Sequence, residues 1–203
     1  LDAMLCGITD GYAAGLQREA DNFRKCLASS QAQGLIHMFF APRAATKVPG
    51  VTDQGLKPAK ITTAAVLGGG TMGRGIATSL LQSGLAVTLK EINEEAVAAG
   101  RGRIESNLMS RVKKGRLSQE KYDEIMSRLS TQTDYSGFNK LDIVIEAVVE
   151  NIELKQNVFS DLESATSANC ILASNTSTID LDVIGKKTKA ADRIVGTHFF
   201  SPA

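Results

Sequence analysis

Ala64-Ala65-Val66-Leu67-Gly68-Gly69-Gly70-Thr71-Met72-Gly73-Arg74-Gly75-Ile76-Ala77 sets three glycines in the spacing G-x-G-x-x-G between an apolar run and a segment of helical character. The arrangement reads as strand, tight turn and helix, with a turn that cradles the pyrophosphate of a dinucleotide. The three glycines act separately, in that Gly68 permits the turn, Gly70 lets the backbone approach a pyrophosphate, and Gly73 lets the helix pack closely on its strand. The helix starts near Thr71 and Met72, where free N–H groups and the positive end of the dipole favour an anion.

Residues 85–90 form a second strand-like run that ends in Glu91, about 20 residues past the glycines. A carboxylate there accepts hydrogen bonds from the adenine-ribose hydroxyls and repels a 2′-phosphate, so the expected cofactor is NAD rather than NADP. The glycines alone would also suit a plain glycine-rich loop of another α/β protein. The strand, helix and acid in register argue against that reading.

The 203 residues have room for one domain and an appendage. With 23 basic and 22 acidic residues the net charge is +1, which gives no electrostatic reason to expect nucleic acid or an anionic membrane as partner. Cys6, Cys26 and Cys170 are too few and too irregularly spaced for a disulfide framework or a zinc site, so no metal is expected and a reducing compartment fits. No apolar run reaches the 18 or so residues of a membrane span. The first residue is Leu1, and Pro202-Ala203 closes the chain just after an apolar run, which predicts a piece of a longer polypeptide.

From residue 61 onward, short apolar runs alternate with longer amphipathic segments. Strands are expected at Thr63–Leu67, 85–90, 141–148, 170–173 and 194–198, a rhythm that predicts a doubly wound, mostly parallel sheet. Residues 93–129 are too long for one ordinary helix and break at Gly115, with Ser118 placed to cap a second helix, so a projecting helical hairpin is expected. Its bend carries Arg111, Lys113, Lys114 and Arg116, a basic cluster suited either to a phosphorylated substrate or simply to water. Residues 1–40 are a different, helical region, with Leu16, Ala20, Phe23 and Leu27 at helical spacing. Pro42, Pro49, Gly50, Gly55 and Pro58 mark an extended connection, which puts the domain boundary at 57/58.

The chemistry-bearing residues gather at expected strand ends, where ligands bind in doubly wound sheets. His198 follows the fifth run and is suited to moving a proton near neutral pH, or to a structural bond with backbone groups. Ser177 offers a hydroxyl and Asn175 an amide, although both also suit ordinary turns. Glu146, Glu150 and Lys155 bring two acids and a base to the end of the third run, where charge pairing on a helix is the simplest account of Glu150 and Lys155. No G-x-S-x-G elbow is present, which argues against a serine hydrolase. His37 has no partner motif and reads as structural.

Gly68-Gly69-Gly70-Thr71-Met72-Gly73, Ile145-Glu146-Ala147-Val148-Val149-Glu150-Asn151, Ser174-Asn175-Thr176-Ser177 and His198-Phe199-Phe200-Ser201-Pro202 together resemble the L-3-hydroxyacyl-CoA dehydrogenase family, in order and in spacing. The resemblance implies a Rossmann-type fold over residues 58–203, an NAD cofactor and a 3-hydroxyacyl-CoA substrate. It implies that His198 is the catalytic base for the 3-hydroxyl and that Ser177 orients that hydroxyl. By the same resemblance Glu91 binds the ribose, while Ala147, Glu150, Lys155 and Asn175 line the NAD site and Lys114 lies near the CoA phosphates.

Residues 34–55 are similar to the linker of multifunctional fatty acid β-oxidation proteins, above all the plant peroxisomal ones. Residues 1–57 would then be the helical tail of an enoyl-CoA hydratase/isomerase domain plus linker, which brings lyase and isomerase activities to the whole protein and a peroxisomal location to the chain. The family's glutamate partner of the catalytic histidine, and its helical C-terminal domain, would fall beyond Ala203. Loss of a comparable carboxylate costs about 10⁴ in rate, so cofactor binding with little or no turnover is expected. Two alternatives stand beside this: a non-catalytic, crystallin-like binding module, and a dehydrogenase of free short hydroxyacids, whose families use a lysine base instead.

Overall fold

The computed structural model describes residues 1–200. The chain divides into two compact units, residues 1–59 and 60–203.

The first unit holds α1 (Asp2–Thr9), α2 (Tyr12–Leu27) and α3 (Ser30–Ala45). Gly7 and Gly15 make the contact between α1 and α2, where a Cβ on Gly15 would stand 2.7 Å from the Gly7 Cα. Leu16, Phe23 and Leu27 share the helical spacing read from the sequence but remain largely exposed, as do Leu35, Phe39 and Phe40 of α3. Pro42 does not begin the connection as expected; it lies inside the last turn of α3. There it removes the amide donor that would reach the Met38 carbonyl, and only the final turn of the helix follows it. His37 is exposed on α3.

The second unit is a six-stranded sheet of β1 (Thr63–Leu67), β2 (Ala86–Lys90), β3 (Leu129–Gln132), β4 (Ile143–Glu146), β5 (Ile171–Ser174) and β6 (Ile194–Gly196). Its order is β3-β2-β1-β4-β5-β6 and every pairing is parallel. This is the doubly wound order of dinucleotide-binding sheets, and the chain reverses direction across the sheet between β1 and β4. The crossovers are α4 (Thr71–Gln82), the hairpin α5 (Glu94–Lys113) and α6 (Gln119–Ser127), then α7 (Ile152–Ala165) and the short α8 (Leu181–Ile184).

Both faces of the sheet are covered, so central strands read as continuous apolar runs. Alternation divides them: Val66, Ile145 and Ala173 join Ile76, Leu81, Ile104, Leu108 and Ile125 on one face. Ala65, Leu67, Val144 and Leu172 join Phe138, Phe159, Leu162 and Ile184 on the other. The hairpin thus contributes to a core through Ile104, Leu108 and Ile125. Truncating Phe159, which has no exposed surface, to Ala costs about 3–5 kcal/mol.

One strand departs from the sequence reading. Residues 129–132, expected as the end of the helical hairpin and the loop after it, pair with β2 at the sheet edge, with Leu89 opposite Thr131. Only Leu129 of the four is buried, so the run carries no apolar signature. The third expected strand is also shorter than 141–148: β4 spans Ile143–Glu146, although the Ala147 N–H still donates to the Leu67 carbonyl at 2.9 Å.

Candidate active site: a dinucleotide cleft at the carboxyl edge

Leu67, Lys90, Glu146 and Ser174 stand in register at the carboxyl edge of four neighbouring strands. The glycine turn leaves β1 there. Gly68 has φ +91°, and a Cβ on it would lie 2.9 Å from the Ala147 carbonyl oxygen, so neither the backbone conformation nor the space admits a side chain. Gly73 is more constrained still: its Cβ would meet the Gly68 carbonyl oxygen at 1.7 Å. A Cβ on Gly70 would meet nothing within 4 Å, so no protein contact requires glycine there, in keeping with a role in ligand approach.

Gly70 also caps α4, whose first residues are the exposed Thr71 and the half-buried Met72, and it provides no side-chain acceptor. Helices α5, α6 and α7 differ, because Asn93, Ser118 and Asn151 accept bonds from Ala96, Lys121 and Leu154 N–H groups. The open N-terminus of α4 therefore fits a phosphate group.

Two clefts flank this turn. One, of about 350 Å³, is lined by Gly69, Gly70, Glu91, Asn93, Ala96 and Arg103 among others. Glu91 accepts from the Gly69 N–H through Oε1 and from the Ile92 N–H, at 3.2 Å, through Oε2. The other, of about 290 Å³, brings together six of the residues expected at the site: Met72, Ala147, Glu150, Asn175, Ser177 and His198. Val148 and Phe199 complete its lining.

Within the second cleft, the Ser177 N–H donates to Glu150 Oε1 at 3.3 Å and Thr176 Oγ1 donates to Glu150 Oε2 at 3.2 Å. Asn175 Oδ1 accepts from the Phe199 N–H at 2.9 Å, which ties the segment after β5 to the one after β6. His198 is exposed, and its ring tilts against Phe200 with centroids 4.6 Å apart. Among the described residues no carboxylate is bonded to His198.

Lys155 does not form the surface helix pair expected from its spacing. Glu150 precedes α7, and the Lys155 side chain is fully buried with its ammonium 2.8 Å from both Glu146 oxygens and 3.2 Å from Glu150 Oε2. Burial pushes the Glu150 carboxyl up, but the Lys155 ammonium and the Ser177 and Thr176 donors outweigh it and hold it below its ordinary value. Lys114 is the exposed C-cap of α5 and lines neither cleft. Ser201, named with the last motif, lies outside the described residues.

Sequence reasoning missed Gly69 and Arg103 as lining residues and the role of Glu146 and Ser174 beneath the second cleft. Arg103 had a signal in the helical period, since Asn93, Ala96, Ala99 and Arg103 fall along one face of α5. Glu146 had only its place at the end of an apolar run.

A six-stranded parallel sheet of this order, with an open phosphate-binding turn between two clefts and an acid at the end of β2, defines a dinucleotide-binding domain. The family model described as "3-hydroxyacyl-CoA dehydrogenase, NAD binding domain" matches residues 63–203, and the chain belongs to that family, whose cofactor is NAD. It is 55% identical over its full 203 residues to the glyoxysomal fatty acid beta-oxidation multifunctional protein of Brassica napus, and 52% identical over its full length to the peroxisomal fatty acid beta-oxidation multifunctional protein of Oryza sativa subsp. japonica. In each case it spans 28% of the relative's length. Among solved structures it is similar to 3-hydroxybutyryl-CoA dehydrogenase from Escherichia coli K12, with TM-score 0.69 and 36% identity over 71% of this chain and 31% of that one.

Proposed function

We propose that this chain is the cofactor-binding part of an enzyme that oxidises L-3-hydroxyacyl-CoA to 3-ketoacyl-CoA with NAD, within a multifunctional protein of peroxisomal (glyoxysomal) fatty acid β-oxidation. The observation that carries the reading is the meeting of His198, Ser177, Asn175 and Glu150 in one cleft beside the glycine turn. Bound NAD supplies the hydride acceptor. His198 takes the proton of the 3-hydroxyl, and Ser177 holds that hydroxyl by a hydrogen bond; the oxygen becomes the ketone as the O–H proton passes to His198 and the C3–H bond breaks with its electron pair leaving as hydride to that acceptor. Gly68, Gly70, Gly73, Thr71 and Met72 seat the pyrophosphate, and Glu91 takes the adenine ribose. Ala147, Glu150, Lys155 and Asn175 line the NAD site at its nicotinamide end.

Residues 1–57 are, in this reading, the helical tail of an enoyl-CoA hydratase/isomerase domain with its linker, and Lys114 contacts the CoA phosphates. The intact pair Ser177 and His198 favours a dehydrogenase over a crystallin-like binding module. His198, in place of a lysine, favours acyl-CoA over free short hydroxyacids.

The test is NADH titration of this chain, followed by assays of a longer polypeptide on 3-hydroxyacyl-CoA and on the free hydroxyacid. The expected result is NADH binding, acyl-CoA oxidation by the longer protein, and much weaker turnover by the 203 residues alone, where His198 has no bonded carboxylate among the described residues. A folded chain without affinity for NADH, or a longer protein that prefers the free acid, overturns the reading.

A further inference from the structure

Arg103, in the middle of α5, lines the cleft beside the glycine turn together with Glu91, Asn93 and Glu95, and among the described residues no other cation lines it. Spacing brings it there, because Ala96, Ala99 and Arg103 follow one face of the helix. A Cβ on Gly100 would lie 2.9 Å from Leu89 Cδ2 and 3.7 Å from the Gly69 Cα, so only glycine lets α5 rest this close to the turn. A Cβ on Gly69 would lie 3.1 Å from Glu91 Oε1 and 3.3 Å from the Gly100 Cα. The acid at the end of β2 and the middle of α5 thus meet across the turn, and Arg103 follows Gly100 by about one helical turn.

An arginine on such a surface ordinarily pairs with a carboxylate. Arg101 does so with Glu105 at 2.8 Å. Among the described residues Arg103 is in no ion pair. Its other side opens on a second cleft, of about 510 Å³, shared with Arg74, Ser106, Asn107 and Ser110, and among the described residues no carboxylate lines that one. A permanently charged guanidinium, with its donors in a fixed fork, therefore borders the acid's cleft without a partner.

The ligand read for this cleft shows what the charge suits. Glu91 takes the adenine-ribose hydroxyls, and NADP differs from NAD by a phosphate on one of them. In sheets of this order an acid selects the free hydroxyl and a nearby arginine accommodates the phosphate, which the guanidinium fork matches with two bonds. Here the acid and the arginine line one cleft.

We propose that Arg103 is a second specificity residue of the cofactor site: it offers the ribose cleft a partner for a 2′-phosphate, and the charge of Glu91 is what holds the chain to NAD. Glu95, the other acid of the cleft, is exposed in the first turn of α5, two turns from Arg103, where solvent screens it. The inference rests on the reading above that this cleft receives the adenine ribose of NAD.

The experiment titrates NADH and NADPH, at one ionic strength, into the 203-residue chain and its Glu91→Gln, Glu91→Gln/Arg103→Met and Glu91→Gln/Arg74→Met variants. Glutamine drops the charge and keeps an acceptor for the Gly69 N–H. Arg74→Met removes an equal charge from the neighbouring cleft and so measures the general field of the two arginines. Glu91→Gln is expected to move the preference towards NADPH by about tenfold. Adding Arg103→Met is expected to weaken NADPH by about tenfold and NADH by about twofold, whereas adding Arg74→Met weakens both alike. A preference unmoved by Glu91→Gln overturns the proposal. So does an Arg103→Met effect that is absent, equal for the two dinucleotides, or matched in selectivity by Arg74→Met.

Should the Glu91→Gln chain not fold, Arg103→Met alone is compared with wild type on 2′,5′-ADP, which carries the 2′-phosphate, and on 5′-AMP, which lacks it. A loss about threefold greater for 2′,5′-ADP is expected; equal losses, or none, overturn the proposal. A folded wild-type chain that binds neither NADH nor NADPH overturns the cofactor reading itself. That failure is distinct, because it appears before any substitution is made.

Discussion

The Gly69 N–H donates to Glu91 Oε1, so the glycine turn after β1 is tied directly to the acid at the end of β2. The Ile92 N–H holds the other carboxylate oxygen at 3.2 Å. An ionised carboxylate has about four acceptor positions, so both oxygens keep lone pairs for ribose hydroxyls while the backbone fixes their direction. Glu91 therefore shapes the turn, and in the proposed function it also takes the adenine ribose.

Replacing Glu91 by Ala removes a charged acceptor from the turn and the repulsion of a 2′-phosphate together. NADH affinity is expected to fall about tenfold, while NADPH affinity falls less or rises. Paired titrations at one ionic strength measure this, since exposed charges are screened by salt. An unchanged NADH to NADPH ratio would remove Glu91 from the cofactor site.

The two glycines at the start of α4 separate fold from ligand. A Cβ at Gly70 meets nothing, so Gly70→Asp should unfold at nearly the wild-type urea midpoint yet bind NADH about a hundredfold more weakly, because its carboxylate faces the pyrophosphate. Gly73→Ala drives a methyl group into the Gly68 carbonyl oxygen and should lose about 3 kcal/mol or more of stability. A Gly73→Ala protein as stable as wild type would mean that α4 can move away from β1.

How much of the molecule is legible in its sequence depends on burial. β1 is readable to the residue because four of its five residues are buried and apolar, and the turn after it allows few residue types. β3 is not readable: three of its four residues are exposed or half-buried, and its pairing with β2 is a long-range fact that no local pattern carries. Pro42 misleads in the opposite direction, since α3 runs past it to Ala45. At the site, Ser177, Asn175 and His198 can be read from their places after strands. The burial of Lys155 cannot, because a lysine about one helical turn past an acid ordinarily signals an exposed pair.

Asp142 sits just ahead of β4, and its Oδ2 accepts from the Thr62 and Thr63 N–H groups at 2.7 and 2.9 Å and from both threonine hydroxyls. These backbone and hydroxyl bonds lower its carboxyl to about 2. The stabilisation from a carboxyl depressed in the folded state is complete above the unfolded value of about 3.9 and is lost as pH falls through the folded value. Asp142→Asn should thus lower the urea midpoint at neutral pH, and the gap to wild type should close between about pH 4 and pH 2. A gap that persists unchanged at pH 2 would show that shape, and not charge, carries the contribution.

His198 and Ser177 share a cleft, but their substitutions should fail differently. Removing the base leaves the hydroxyl proton without an acceptor in the transition state, so His198→Gln in a longer, active polypeptide should reduce oxidation of 3-hydroxyacyl-CoA by about 10²–10⁴ in kcat. Ser177→Ala removes one neutral hydrogen bond to the same hydroxyl and should reduce kcat/KM by about threefold to tenfold. NADH affinity should change little with His198→Gln, because the glycine turn and Glu91 carry the other half of the ligand. Steady-state kinetics with parallel NADH titration separate these effects. If His198→Gln weakened NADH binding as much as it slowed turnover, His198 would belong to the cofactor seat and the proton would need another acceptor.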